Sequence, residues 1–459
     1  MKKASAIMLM MVGAYEPTLA VSADRAPGDG YTLVKTILSS SPQDREAAAQ
    51  ALIERADPSL VPGLVDAIFF TPKGSRAQVL DTLEALTGER RGDYYSWVEF
   101  VGAHAEIEPA SGYLEWKRSL LTRIDPDYQQ VLYDGAPTRI RLEEIVWGGV
   151  PMAGIPALDD PPTMPGSKAR YLRRSEKVFG IVVAGEARAY PLRFLSWHEL
   201  LNDSLGGEPI TLSFCTLCGS GIFYATRTPN GGVYRFDTSG LLYRSNKLMV
   251  DRRSRTLWSN LTGEPVVGRL ARSPIQLEML PGTLTTWEAW KRQHSETTVL
   301  DLKGIEAQMR PRFSYEYRPG AAERQRRDVT FPVWLASDQL DRGSEVFALR
   351  LAGEAMAYPV DRVLEANVVN HEVGGEPVVV IGDSESGSVR AFQRASHHFQ
   401  MLEDGRLRDT KGGLWKIEEE GLRALEPAGE ERFLRRLPGH LALWFGWYAF
   451  YPQTRVWQP

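Results

Sequence analysis

Ala184-Gly185-Glu186-Ala187-Arg188-Ala189-Tyr190-Pro191 returns 168 residues later as Ala352-Gly353-Glu354-Ala355-Met356-Ala357-Tyr358-Pro359. The alignment holds without a gap over 178–209 and 346–377, pairing Asn202 with Asn370 and Gly206-Gly207-Glu208-Pro209 with Gly374-Gly375-Glu376-Pro377. At an offset of 157, Leu257-Trp258 matches Leu414-Trp415, and Leu280-Pro281-Gly282 matches Leu437-Pro438-Gly439. Trp287, Trp290, Thr297 and Val299 then match Trp444, Trp447, Thr454 and Val456. A collinear series of this kind marks an internal repeat. Short apolar runs at 178–183, 187–190, 210–214, 221–225 and 233–236 give the unit a β-rich character. The expectation is two tandem β-rich pseudo-repeats, over 135–305 and 310–459.

Working outward, the chain before the repeats reads as helical from Tyr31 to about His104. Helix formers crowd 44–53, and Asp57-Pro58 opens a second amphipathic stretch with proline near its start. The pattern repeats over 75–86. This is a small HEAT-like module, placed at 28–106, and a packing or docking role suits it better than catalysis. Between module and repeats, 148–162 is too rich in Gly and Pro for helix or central strand, yet its interleaved apolar residues point to an ordered loop. The fold class is therefore α+β.

The repeat supplies an internal control. Residues shared by both copies are candidates for maintaining the fold, and residues present in one copy are candidates for chemistry. The chain has two cysteines, Cys215 and Cys218, in Cys215-Thr216-Leu217-Cys218-Gly219. Copy 2 has Asp383 and Ser386 there, with Gly387 still matching Gly219, and Ala366 where copy 1 has His198. A site in copy 1 built on His198, Cys215 and Cys218 follows. Two thiols spaced C-x-x-C form a chelate, a redox couple or a local staple.

As a chelate, strand–Cys-x-x-Cys-Gly–strand has the form of a knuckle turn whose amides face the sulfurs. His198 supplies a third ligand, and zinc or copper suits the set. Glu199, Asp203 and Asp251 are candidates for a fourth position, or that position is open to water or substrate. Glu199 and Asp251 are also candidates for the shell around the metal. As a redox couple, the pair lacks a following helix to receive a thiolate, although a paired histidine could substitute. As a staple, a disulfide pins the turn and His198 is a core residue. The adjacent His397-His398 reads as surface histidines, and 323–328 as a solvated charged linker. No P-loop, Rossmann fingerprint, Gly-x-Ser-x-Gly or His-Glu-x-x-His occurs.

Over about 140–459 the chain resembles the bacterial and archaeal family called domain of unknown function 3179. The resemblance rests on Gly148-Gly149-Val150-Pro151 with Gly154-Ile155-Pro156-Ala157-Leu158-Asp159-Asp160-Pro161, on Ala189-Tyr190-Pro191-Leu192, and on Trp197-His198-Glu199-Leu200-Leu201-Asn202-Asp203. Cys215-Thr216-Leu217-Cys218-Gly219, Asp251, Leu257-Trp258 and Pro452-Gln453-Thr454 complete it. Thr216 stands where the family typically has proline. The resemblance implies no activity and leaves the helical module outside it.

Length and composition bound the rest. A chain of 459 residues is too long for one core. A net charge of −4 argues against nucleic-acid partners. Twelve tryptophans suit large aromatic cores in a β-rich body. Lys2-Lys3, the short apolar run 4–14 and small residues near 18–23 read as a signal peptide, 1–23. The expectation is a periplasmic or secreted protein without a transmembrane segment. The helical module is the surface offered to a protein partner. The sequence supports an exported metal-binding protein, a periplasmic thiol–disulfide protein, or a scaffold with a structural disulfide, and leaves open whether it is an enzyme.

Overall fold

The computed structural model describes residues 29–309, 313, 315–317, 333–425 and 432–459. The signal segment and the 323–328 linker lie outside the described residues. The architecture is α+β: a helical module leads into a body of twisted sheets. No described helix is long and apolar enough to cross a membrane.

Helices Pro42–Arg55, Val61–Phe70, Arg76–Thr87 and Tyr94–Ala103 form the module, behind the shorter Asp29–Thr36. Their starts carry the expected chemistry. Ser41 and Asp93 side chains accept from the Asp44 and Ser96 amides, tying down otherwise orphaned N–H groups. The helical run continues past the edge expected at 106 through Tyr113–Leu121. Buried polar bonds fasten that last helix. Lys117 Nζ donates to Asp66 at 2.8 Å, the Tyr113 hydroxyl donates to Asp66 at 2.7 Å, and Trp116 Nε1 donates to the Gly63 carbonyl. A lone Gly112 at φ 93° hides the continuation from a sequence reading.

In the β body, one order of elements occurs twice. Strands Lys177–Val183 and Glu186–Pro191, helix Leu192–His198, then strands Leu200–Leu205, Glu208–Cys215 and Ser220–Ala225 come first. Strands Glu345–Leu351 and Glu354–Pro359, helix Val360–Ala366, then strands Val368–Val373, Glu376–Asp383 and Ser388–Gln393 come second. Each opening hairpin turns on two residues of positive φ, Ala184-Gly185 at 48° and 81° and Ala352-Gly353 at 48° and 84°. Such turns match the right-handed twist of the strands they join. Matched side chains make matched bonds. Asn202 exchanges two hydrogen bonds with the Phe236 backbone, as Asn370 does with Phe399. Trp290 and Trp447 each donate to a threonine, Thr297 and Thr454, at 2.9 Å. Beyond these elements the sheets differ. The later material divides into a four-stranded and an eight-stranded sheet, whereas the earlier material divides among three five-stranded sheets.

Two expectations need correction. The strand read over 233–236 begins only at Phe236 and runs to Tyr243, after a loop turning on Gly231 at φ 78°. His397 is buried and its Nδ1 lies 2.9 Å from Asp409 Oδ2, while His398 is exposed. The loop at 148–162 is ordered by backbone bonds from Gly148 to Gly240, Ala153 to Thr238 and Asp160 to Asn202.

The two halves meet across a cleft of about 500 Å³ bordered by Tyr224, Leu277, Ala348, His440 and Trp447. Burial pushes the His440 imidazole from 6.5 down to about 4. The unfolded chain takes up that proton near pH 6.5 and the folded chain does not. The stabilisation is therefore complete above pH 6.5 and is lost as pH falls towards 4, by about 3 kcal/mol for this one group. Urea unfolding at pH 7 and pH 4.5 should show a smaller acid loss for His440→Gln than for the parent chain.

Candidate functional site

Strand Glu208–Cys215 pairs with Ser220–Ala225, and Cys215 sits opposite Ser220 where the hairpin closes. Gly219, at φ 65°, lets the turn close directly after the second cysteine. Thr216, Leu217 and Gly219 are half-buried at the tip, while Cys215 and Cys218 are 1% and 0% exposed. Both are free thiols.

Polar groups surround the sulfurs. Asn246 Nδ2 donates to Cys218 Sγ and to Ser220 Oγ, both at 3.0 Å. Asn260 Nδ2 donates to Asn246 Oδ1 at 2.9 Å and lies 3.3 Å from Ser220 Oγ. Lys247, only 5% exposed, sends its ammonium to the Glu199 carbonyl at 2.9 Å and lies 3.7 Å from Glu199 Oε2. The Thr216 hydroxyl holds Glu199 Oε1 at 2.6 Å. Apolar cover closes over this cradle. Leu443 N–H donates to the Cys218 carbonyl, and Val333, Leu443 and Phe445 pack with the cysteines. A Cβ on Gly446 would lie 2.6 Å from the Cys218 Cβ, so the helix Trp444–Tyr448 rests directly on this cysteine. Leu217 packs against the core of the helical module.

The two thiols are not equivalent. Burial opposes ionisation of Cys215, and the Glu199 carboxylate adds to that. Hydrogen bonds from the Cys218 thiol and from the Cys218 and Lys247 amides outweigh both and bring Cys215 below the ordinary thiol value. Burial, the hydrogen bond to Cys215 and the charge there hold Cys218 well above it. Burial also lowers the Lys247 ammonium, against the opposing pull of Glu199 and the two sulfurs.

Of the sequence-derived residues, the structure brings Cys215, Cys218 and Glu199 together. His198 is not gathered with them. Its Nδ1 lies 2.8 Å from the Pro156 carbonyl and its Nε2 lies 2.6 Å from the Tyr315 hydroxyl, with Phe313 against the ring. Both ring nitrogens are thus engaged, and burial lowers its basicity. The reason lies one residue on. Glu199 takes a left-handed backbone, φ 57°, which ends the helix and turns the chain so that Glu199 meets the hairpin. That conformation costs a non-glycine residue on the order of 1–2 kcal/mol. Asp203 is occupied by Arg188 and Tyr190. Asp251 caps its own turn, accepting from the Arg253 and Ser254 amides and from Trp258 Nε1. Among the described residues no three His, Cys, Asp or Glu side chains converge to hold a metal ion. The expected His198–Cys215–Cys218 set is not assembled. Lys247, Asn246 and Asn260 were missed by sequence reasoning. Asn246 and Lys247 end the polar stretch Arg244-Ser245-Asn246-Lys247 between two apolar runs, which reads as an ordinary turn and gives no sign of burial.

A family described as "Protein of unknown function (DUF3179)" matches residues 152–454. The chain belongs to this family. The DUF3179 region contains the whole hairpin and its cover, and the helices before it fall outside. No curated protein and no solved structure matches the chain.

His198→Ala should cost about 1–3 kcal/mol in unfolding free energy by leaving buried polar groups unpaired. It should leave the oxidation rate of Cys215 and Cys218 unchanged; loss of thiol chemistry in that variant would return His198 to the site.

Proposed function

We propose that this chain is a thiol–disulfide redox protein whose working pair is Cys215 and Cys218. The observation that carries the reading is a Cys-x-x-Cys hairpin of free thiols set in a polar cradle, with Asn246 on Cys218 and the Lys247–Glu199 pair alongside. One sulfur is eased towards thiolate and its neighbour is held as thiol, the division of labour that disulfide exchange needs. Cysteines kept only for packing have no use for Asn246, Asn260, Ser220 and Lys247 around them.

The step balances as follows. The step requires the cover of Val333, Leu443 and Phe445 to part; the Cys215 thiolate then attacks a partner disulfide, one partner thiolate leaves, and a mixed disulfide forms. Cys218 gives up its proton and displaces the second partner sulfur, closing Cys215–Cys218. One thiolate and one thiol enter; one partner thiolate and one partner thiol leave. Two electrons pass to the partner, and the reverse reaction returns them.

We further read the chain as exported, on its basic and apolar N-terminus, which places the pair where disulfides persist. We read the body as a tandem duplication in which copy 2 has given up the chemistry and covers the site. Recurring strand spans and matched Asn–backbone and Trp–Thr bonds support that reading.

The test uses the full mature chain without a histidine tag. Equilibration with dithiothreitol or oxidised glutathione, followed by thiol trapping and mass spectrometry, should show one reversible two-electron couple. Cys218→Ser should accumulate a glutathione adduct at Cys215. One tightly held equivalent of zinc or copper shielding both thiols, or thiols inert to oxidised glutathione, would overturn the reading.

A further inference from the structure

The residue between helix Leu192–His198 and strand Leu200–Leu205 does the same backbone work as its counterpart 168 positions on. The Glu199 carbonyl accepts Phe214 N–H at 2.7 Å, and the Asn367 carbonyl accepts Gly382 N–H at 2.9 Å. Both stand in the left-handed region, at φ 57° and 58°. Asparagine takes that conformation readily and glutamate does not. Asparagine alone would suffice for the turn. What glutamate adds is a carboxylate, and the structure holds that carboxylate in place with Thr216, the residue after Cys215, and with Lys247.

Lys247 comes from a separate strand, Asn246–Asp251, and its buried ammonium ends on Glu199, 2.9 Å from the carbonyl and 3.7 Å from Oε2. A buried ammonium is retained where it is paired. Here it is paired with one carboxylate and lies within electrostatic reach of the two sulfurs, which can carry charge only in the reduced state.

We propose that Glu199 and Lys247 are a charge pair that sets the reduction potential of the Cys215–Cys218 couple. They act as positioning residues, exchange no electrons and form no bond to the sulfurs. The inference rests on the redox reading of the same hairpin. Only the reduced pair can ionise, and Cys215 is the thiol whose ionisation is eased. The Lys247 ammonium therefore stabilises the reduced form, and the Glu199 carboxylate opposes it. Glu199 also keeps the ammonium in place, so each half conditions the other.

The two charges make the test directional. Lys247→Met should lower the equilibrium constant for reducing the hairpin with dithiothreitol at pH 7 by roughly tenfold, about 30 mV for a two-electron couple. Glu199→Gln should move the same constant the other way, by several-fold. Lys247→Arg, which keeps the charge, should stay near the parent value and serves if the methionine variant does not fold. Midpoints that stay put in Lys247→Met and Glu199→Gln, or that shift in the same direction, would overturn the proposal. A parent chain with no reversible couple would instead remove the redox reading before any variant is made.

Discussion

The Glu199 carbonyl is the point on which the site hangs. It accepts the Phe214 amide from the strand leading to Cys215 and the ammonium of Lys247 from a separate strand. The same residue ends a helix through its N–H to Leu195 and starts the next strand. Four elements are thus indexed to one left-handed residue. Shifting that backbone would move His198, Thr216 and Lys247 together, because each is held relative to it. Strain at such a point persists only when the surrounding structure over-determines it, and here three hydrogen bonds do so.

The helical stretch ahead of the β-rich body was legible because it depends on local signals, and the recurring order of strands and helix because residues recur in the sequence. Gly-Glu turns, Tyr-Pro and the spaced tryptophans recur collinearly, and capped amphipathic stretches announce the module. The Cys-x-x-Cys-Gly turn was legible for the same reason, since strand, thiols and glycine are contiguous. The third partner was not. His198 and Glu199 are neighbours, and which of them faces the hairpin is decided by one backbone dihedral that residue types do not report. Lys247 was invisible because nothing local marks a lysine as buried; its place follows from strand pairing with Phe236–Tyr243. His397 was misread for a related reason, its Asp409 partner arriving from another strand.

The cover over the thiols comes from distant parts of the chain. The C-terminal helix lays Gly446 on Cys218, Leu443 bonds the turn's carbonyl, and the helical module packs on Leu217 at the tip. The module's core also takes in Trp334 and Ala449. Part of its apolar surface is therefore committed within the chain rather than offered to a partner. This arrangement gives a division of roles: the early half carries the sulfurs, and the late half and the module enclose them.

Enclosure and reactivity pull in opposite directions, and the balance between them explains the composition of the cradle. A thiolate wholly in apolar surroundings would be suppressed by desolvation, leaving inert cysteines. Hydrogen bonds from the Cys218 thiol and from the Cys218 and Lys247 amides oppose that suppression at Cys215, and burial strengthens any charge pair beside them because water is displaced. The corresponding turn at 383–388 carries no cysteine. There the Ser386 hydroxyl donates to Asp383 at 2.6 Å, Ser388 Oγ lies 2.9 Å from it, and Lys177 from the earlier half donates to the Ser386 carbonyl at 2.7 Å. Copy 1 draws on Glu199, Asn246, Lys247 and Asn260 from outside its hairpin. On the redox reading proposed above, these buried polar groups serve an ionised sulfur as well as the turn.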